Sequence, residues 1–293
     1  MSIDGIVLVD KPSGPTSHDV VAIMRKLYGT RKVGHAGTLD PMATGMLVIG
    51  IGRATRLLGY FTASDKEYLA TIRLGMSTTT DDAQGELVAQ EDASSLTDAQ
   101  ILEVVRSMRG HILQRPSSVS AIKVDGKRAY AKVRAGEEVE LESREVNISD
   151  LEILKSERVG SFVDVDVRVT CSAGTYVRAL ARDIGAQLGV GGHLIALRRT
   201  RSGAFDTMMS IDLLRENPTL IPMSEAVRKT FPAFELSAQE SARARNGVRV
   251  SAPLEAQGID GPLGIFDENH EVISLAKVEA LEFVPLVVFV GQD

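Results

Sequence analysis

One carboxylate, Asp40, sits in the run "GHAGTLDPMATGMLVIGIG" (34–52), among Gly, Ala and Thr and directly before Pro41. Glycines let the backbone turn tightly and approach other groups closely. The residue before a proline is pushed away from the α region, so Asp40 should be extended or in a turn. The apolar residues Met46 to Ile51 that follow read as a buried strand. The pattern predicts an acid presented at a fixed angle on a rigid base, which suits covalent or general-base chemistry. An Asx turn would use the same residues, and the residue types alone leave both readings open.

Other candidates for chemistry are weaker. "GIGRAT" has the opening of a dinucleotide-binding fingerprint but lacks its third glycine and a suitably spaced acid. "DVDVR" has the Asp-x-Asp of phosphoryl-transfer enzymes with an aspartyl nucleophile, and a metal-dependent hydrolase on Asp164 and Asp166 is one alternative. Both acids, however, fall on the polar face of an alternating strand, which accounts for them. His18, His35, His111, His193 and His270 are scattered, with no partner at metal-ligand spacing. A nucleophile elbow for Ser-His-Asp catalysis is missing. Cys171 is the single cysteine, which excludes an intrachain disulfide and a Cys-rich zinc site.

The elements that must position Asp40 can be read from periodicity. "GIVLVDKPSG" is a buried strand running into a Pro/Gly turn, and a helix with Ser17 as N-cap follows, carrying Val20, Ile23, Met24 and Leu27 on one face and closed by Gly29. "EYLATIRLG" alternates with Tyr68, Ala70, Ile72 and Leu74 on one side. In "LTDAQILEVVRSMRG", Thr97 and Gln100 form a capping box, and Leu96 with Ile101 a hydrophobic staple. Residues 112–148 carry few helix or strand signals until "EVELESREVNI" and read as an insertion. "FVDVDVRVT" is a strand with Val163, Val165, Val167 and Val169 inward, and "GTYVRALARDIGAQLG" an amphipathic helix capped by Thr175, with Arg178 three residues on. Beyond about residue 230 the texture changes to short strands and turns, with a hairpin at "DENH".

The 293 residues suffice for one large domain and a small one. The chain is 44% hydrophobic and 25% charged, and no apolar run approaches the roughly 18–20 residues of a membrane helix. The start "MSIDGIVLVDKP" lacks the features of a signal peptide, so a cytoplasmic protein is expected. Net charge is −6, which alone argues against nucleic acid. Its distribution argues the other way. Arg115, Lys123, Lys127, Arg128, Lys132 and Arg134 cluster in 113–134, and Arg178, Arg182, Arg198, Arg199 and Arg201 in 176–201, enough to build one basic face on an acidic chain.

The segment "HAGTLDPMATGMLVIGIGRATRL" resembles the signature of the TruB family of bacterial tRNA pseudouridine-55 synthases. "VDKPSGPTSH", "KEYLATIRLG" followed by "TTTDDAQG", "SAIKVDGKRAY", "CSAGTYVRAL" and "LRRTRSGAF" resemble further family segments, in the family's order and at about its spacings. The likeness covers residues 5–205; the tail resembles, more weakly, the small β-rich RNA-binding module called PUA. The resemblance implies an α+β pseudouridine-synthase fold, a mixed, mainly antiparallel sheet flanked by helices and loops, with a PUA-like C-terminal domain. It implies a catalytic domain over 1–232, with an RNA-covering insertion at about 112–148, and a second domain over 233–293.

It also implies isomerisation of uridine to pseudouridine in the T-arm loop of tRNA, by an aspartate nucleophile acting on a base extruded from the RNA. Neither metal nor other cofactor is called for, nor a protein or membrane partner, and a monomer is expected. On this likeness Asp40 is the nucleophile, Arg178 its guanidinium partner, and Tyr68 the ring that stacks on the base and handles protons. His35 takes the space the base vacates, Thr38 lies beside the nucleophile, and Leu197 packs near the base. Asp82 belongs to the arginine network, Lys11 and Pro12 brace the loop, and Lys123 tracks phosphate; His35, Thr38, Lys11, Asp82, Lys123 and Leu197 together make the substrate- and RNA-binding set. After residue 250 the tail carries a single lysine, Lys277, and no arginine, a poor equipment for phosphate. A tRNA-folding chaperone of the same fold that performs no catalysis is the alternative.

Overall fold

The computed structural model describes residues 3–117, 123–124, 127–128 and 141–289. Its main body is a ten-stranded mixed sheet. In chain order its first strands are β1 (Gly5–Lys11), β2 (Val33–Ala36), β3 (Thr44–Ile51) and β4 (Lys66–Leu74). A small hairpin, β5 (Met76–Thr78) and β6 (Leu87–Gln90), stands apart from the sheet; β7 (Gly110–Gln114) then forms its edge. The short β8 (Lys123–Val124) and β9 (Lys127–Arg128) pair with each other, followed by the long β10 (Arg144–Val159), β11 (Phe162–Cys171) and β12 (Gly192–Ser202). Across the sheet the order is β1, β3, β12, β4, β11, β10, β7. Most neighbours are antiparallel, but β12 runs parallel to β3, with Arg198 opposite Thr44 and Arg199 opposite Gly45. That late strand is wedged between two early ones, β3 and β4.

Burial follows the alternation. Along β1, Val7 and Val9 pack on helix α1 (Ser17–Leu27) with Leu47 and Ile49, while Ile6 and Leu8 face the other side with Met46 and Val48. Both faces are covered, so β1 and β3 read as continuous apolar runs. On β4, Tyr68, Ala70, Ile72 and Leu74 share a core with Val163, Val165, Val167 and Val169 of β11. Helix α3 (Asp98–Ser107) starts with the expected Thr97–Gln100 capping box, and Leu96 and Ile101 lie in that same core. The short α2 (Leu58–Thr62) precedes β4 and α4 (Val177–Gln187) follows β11. A separate five-stranded sheet begins with Ala233–Glu235, and its Phe266 and Leu275 pack against Phe61 and Phe205 of the main body.

Three local expectations shift. The cap of α1 is Thr16, in a reciprocal capping box with Asp19, and Ser17 is buried for another purpose described below. The cap of α4 is Tyr176 rather than Thr175, which puts Arg178 in the first turn, one position earlier than the spacing suggested. Within 112–148, which carries few strand signals in the sequence before "EVELESREVNI", β7 runs to Gln114 and β10 begins at Arg144. Most of it, with the side chain of Lys123, lies outside the described residues.

Candidate active site

Asp40 lies in the loop joining β2 to β3, and that loop is tied down on every side. The buried Ser17 hydroxyl accepts the Leu39 N–H at 2.9 Å and donates to the Leu39 carbonyl at 3.1 Å. The Gly14 N–H donates to the Pro41 carbonyl at 2.8 Å, and the Lys11 ammonium donates to that carbonyl at 3.2 Å and to Pro12 O at 2.9 Å. From β12, Arg199 Nη2 donates to the Gly37 carbonyl at 3.0 Å and Nε to Met46 O at 2.7 Å. Gly45, at φ +95°, is required here: a Cβ would lie 2.2 Å from the Arg199 carbonyl.

Arg178 meets this loop from the first turn of α4. Its Nε lies 2.9 Å from Asp40 Oδ2, its Nη1 lies 3.5 Å from Asp82 Oδ2, and Nη1 donates to the Thr80 carbonyl at 2.8 Å. A cation in the first turn of a helix opposes the helix dipole; the two carboxylates offset that. The start of α4 is held by Gln114, whose amide accepts the Tyr176 N–H at 2.8 Å and donates to the Tyr176 carbonyl at 3.1 Å. The Arg178 side chain is 4% exposed and that of Asp40 38%, so the guanidinium is a buried clamp and the carboxylate remains open to attack. Asp82 is also buried, accepting the Thr80 hydroxyl at 2.6 Å and the Gln84 N–H at 3.0 Å.

Beside this pair is a cavity of about 310 Å³, lined by Thr38, Asp40, Tyr68, Arg178 and Leu197 among others. That is the lower end of the size range for small-ligand sites. Burial raises the Tyr68 hydroxyl above its ordinary value, with the nearby Arg199 pulling the other way, so the phenol enters the site protonated. Lys66 and Arg199 also line the cavity and are almost fully buried. Desolvation brings Lys66 down to about 8, with Arg199 adding to the effect. Lys11 is likewise lowered to about 8 by burial, while Asp40 and Asp19 oppose the shift.

The structure thus gathers Thr38, Asp40, Tyr68, Arg178 and Leu197 at one cavity, with Asp82 behind Arg178. Two members of the substrate- and RNA-binding set, Lys11 and Asp82, lie where loop bracing and the arginine network would put them. Lys11 is fully buried against the loop it braces, and the Asp82 carboxylate lies 3.5 Å from Arg178 Nη1. His35 lies in β2, edge-on to His18 with ring centroids 5.5 Å apart, and is not among the cavity-lining residues. Lys66, Arg199 and Gln114 went unrecognised as individual site residues. A signal existed for two of them: Lys66 shares the inward parity of Tyr68, and Arg199 that of Leu197. A charged residue on an inward position is worth asking about.

Residues 25–177, more than half of the chain, match the profile of the TruB family pseudouridylate synthase (N terminal domain). Residues 178–217 match the tRNA pseudouridylate synthase B C-terminal domain. The chain belongs to the TruB family. Its relatives include the tRNA pseudouridine synthase B of Thermobifida fusca, 53% identical over 99% of both chains, and that of Cutibacterium acnes, 54% identical over 93% of this chain and 92% of the other. It shares its fold with a solved H/ACA RNP bound to a substrate RNA containing 2'-deoxyuridine, at a TM-score of 0.73 and 26% identity, covering 99% of this chain and 86% of that one. A Cbf5-Nop10-Gar1 complex gives the same TM-score at 27% identity, covering 97% and 84%. The TruB-family chain therefore has the pseudouridine-synthase fold. The boundary between its two family profiles falls inside α4, between Val177 and Arg178, so both contribute to the site. Asp164 and Asp166 are engaged elsewhere, with Arg73 at 2.7 Å and the Thr71 hydroxyl at 2.6 Å.

Proposed function

We propose that this chain isomerises uridine to pseudouridine in the T-arm loop of tRNA. The observation that carries the reading is the Asp40–Arg178 pair at the cavity: a half-exposed carboxylate held at 2.9 Å by a buried guanidinium. Asp40 is the nucleophile. Arg178 orients it and favours its charged form when RNA covers the site and excludes water. The target uridine leaves its stack and enters the cavity. There Tyr68 offers a flat apolar face and a protonated hydroxyl, and Leu197 and Thr38 frame the base. His35 contacts the RNA outside the cavity. Lys123 and its basic neighbours track phosphates, so affinity falls with salt although the chain is acidic overall. Residues 1–232 act as the catalytic body and 233–293 as an appended PUA-like unit. The protein works alone as a cytoplasmic monomer on tRNA.

Tritium release from C5-labelled uridine in an unmodified T-arm transcript tests this. Release at a rate proportional to enzyme supports isomerisation. Tight binding without release would leave an RNA chaperone of the same fold.

A further inference from the structure

Two buried cations line the cavity beside the Asp40–Arg178 pair, and one of them, Arg199, also pins the Asp40 loop through the Gly37 and Met46 carbonyls. Lys66 is 5% and Arg199 1% exposed. Among the described residues neither makes an ion pair with a carboxylate. Lys66 gives its protons to the carbonyls of Phe61, Thr62 and Ser64 at the end of α2. Arg199 uses Nε and Nη2 on Met46 and Gly37 carbonyls, and lies beside the Tyr68 hydroxyl. Its Nη1 end lies beside Gly37, where an added Cβ would be 3.4 Å from Nη1, and Arg199 is among the residues that line the cavity. Two like charges are thus buried side by side, held mainly by backbone carbonyls, with Asp65, among the described residues, the one carboxylate that acts on Lys66 at longer range. Buried charges ordinarily have an opposite charge beside them. A site that holds cations in this way is preorganised for an anion that arrives later.

We propose that Arg199, supported by Lys66, stabilises the negative charge that the uracil ring acquires during the isomerisation; this rests on the function proposed above. Uridine enters neutral. When the N1–C1′ bond breaks, both its electrons stay with the ring and spread over N1, O2 and O4, while an Asp40 oxygen bonds to C1′. The turned ring then uses an electron pair at C5 to form C5–C1′, and Asp40 departs with the pair of its own bond. C5 loses its proton and N1 gains one, so the ring ends neutral. If Asp40 adds instead to C6, the C5–C6 π pair moves onto the O4 enolate. On either route the charge lies on the ring and is absent from the ground state. Arg199 therefore acts on the rate and not on binding. A backbone phosphate, already charged before reaction, would show the reverse.

Single-turnover loss of the target nucleoside, and affinity, are measured for the full chain on a T-arm transcript carrying uridine or 5-fluorouridine at the target; 5-fluorouridine has no C5 proton to lose, so after C5–C1′ forms its ring keeps the fluorine and ends by adding water across N1=C6. Fluorine withdraws electrons and itself stabilises a ring anion. For Arg199→Gln the rate on uridine is expected to fall about 10²–10³-fold, with unchanged affinity and a smaller deficit on 5-fluorouridine. Arg199→Lys, which keeps the charge, should fall between that variant and wild type. Equal deficits on both substrates would overturn the proposal in favour of a purely structural role. Lost affinity with an unchanged rate would overturn it in favour of phosphate binding. Thermal unfolding checks the fold. Should Arg199→Gln not fold, Arg199→Lys and Lys66→Gln carry the same comparison at smaller amplitude. A wild-type protein that converts neither substrate fails the functional reading itself, whereas active wild type with the wrong variant pattern fails only this inference.

Discussion

Replacing Asp40 by Asn exchanges a carboxylate for an amide of nearly the same shape, and the structure separates what this does to chemistry from what it does to stability. Arg178 keeps the Asp82 carboxylate at 3.5 Å and the Thr80 carbonyl at 2.8 Å, so the buried guanidinium is not stranded. The lost charge is itself 38% exposed, and pairs screened to that degree contribute about 1 kcal/mol or less. For a protein of this size that is a fall in melting temperature of no more than about 4 °C. Turnover, by contrast, loses its nucleophile and should drop about 10³-fold or more, at least ~4 kcal/mol of barrier. RNA affinity should hardly change, because the missing interaction belongs to the transition state. Asp82→Asn gives the opposite profile. Asp82 is 5% exposed in its side chain, and an amide there sets N–H donors against the guanidinium. Arg178 keeps Asp40 at 2.9 Å, so the cost is that of a buried polar group left badly paired, about 1–3 kcal/mol, and this variant should melt below Asp40→Asn while retaining more activity per folded molecule. Tritium release and differential scanning calorimetry on both proteins decide the matter. Asp40→Asn retaining a tenth of wild-type turnover, or destabilised as much as Asp82→Asn, would refute the reasoning.

Further outcomes follow from the same geometry. Gly45→Ala should fail to accumulate as folded protein, because the added Cβ would meet the Arg199 carbonyl at 2.2 Å in a left-handed backbone; soluble yield and circular dichroism check it. Ser17→Ala strips two hydrogen bonds from the Leu39 backbone and should cost about 1–3 kcal/mol in urea unfolding, with kcat falling more than KM rises. Lys11, lowered to about 8 in the fold from 10.5, opposes folding fully below pH 8; as pH rises from 8 toward 10.5 the unfolded chain holds a proton the native one has shed, and stability rises. Between pH 8 and 9 the wild type should therefore gain on Lys11→Met by up to about 1.4 kcal/mol per pH unit, read from urea midpoints, with Cys171, raised to about 11 by burial, acting alike in both proteins. Lys123→Ala should flatten the salt dependence of RNA binding by about one unit of slope or less.

The strands were legible because alternation is local: the inward valines of β11 and the Tyr68 side of β4 follow from residue order alone. The Thr97–Gln100 cap of α3 was legible outright, but those of α1 and α4 only to within a residue. Thr16 and Ser17 both offer a hydroxyl, and the choice between them depends on Leu39, more than twenty residues away, which claims Ser17. At α4, the distant Gln114 satisfies Tyr176 in place of a side-chain cap. The placement of β12 between β3 and β4 could not be read from any window, since no local pattern encodes which strands pair. For the same reason the Asp40–Arg178 pairing is legible only from family likeness, Arg199 reads as part of a basic face, and Lys66 stands out only by sharing the inward parity of Tyr68. A lysine or arginine is presumed to be at the surface until the sheet around it is known.

The parallel seam between β3 and β12 has a consequence for biosynthesis. Asp40 leaves the ribosome early, but the guanidinium beside it and the arginine that pins its loop arrive only when the chain has been made through β12. A nascent chain stalled short of that strand carries the whole signature segment yet has no assembled catalytic pocket. Competence to modify RNA therefore switches on late in translation, and a partly made polypeptide would leave nearby transcripts untouched.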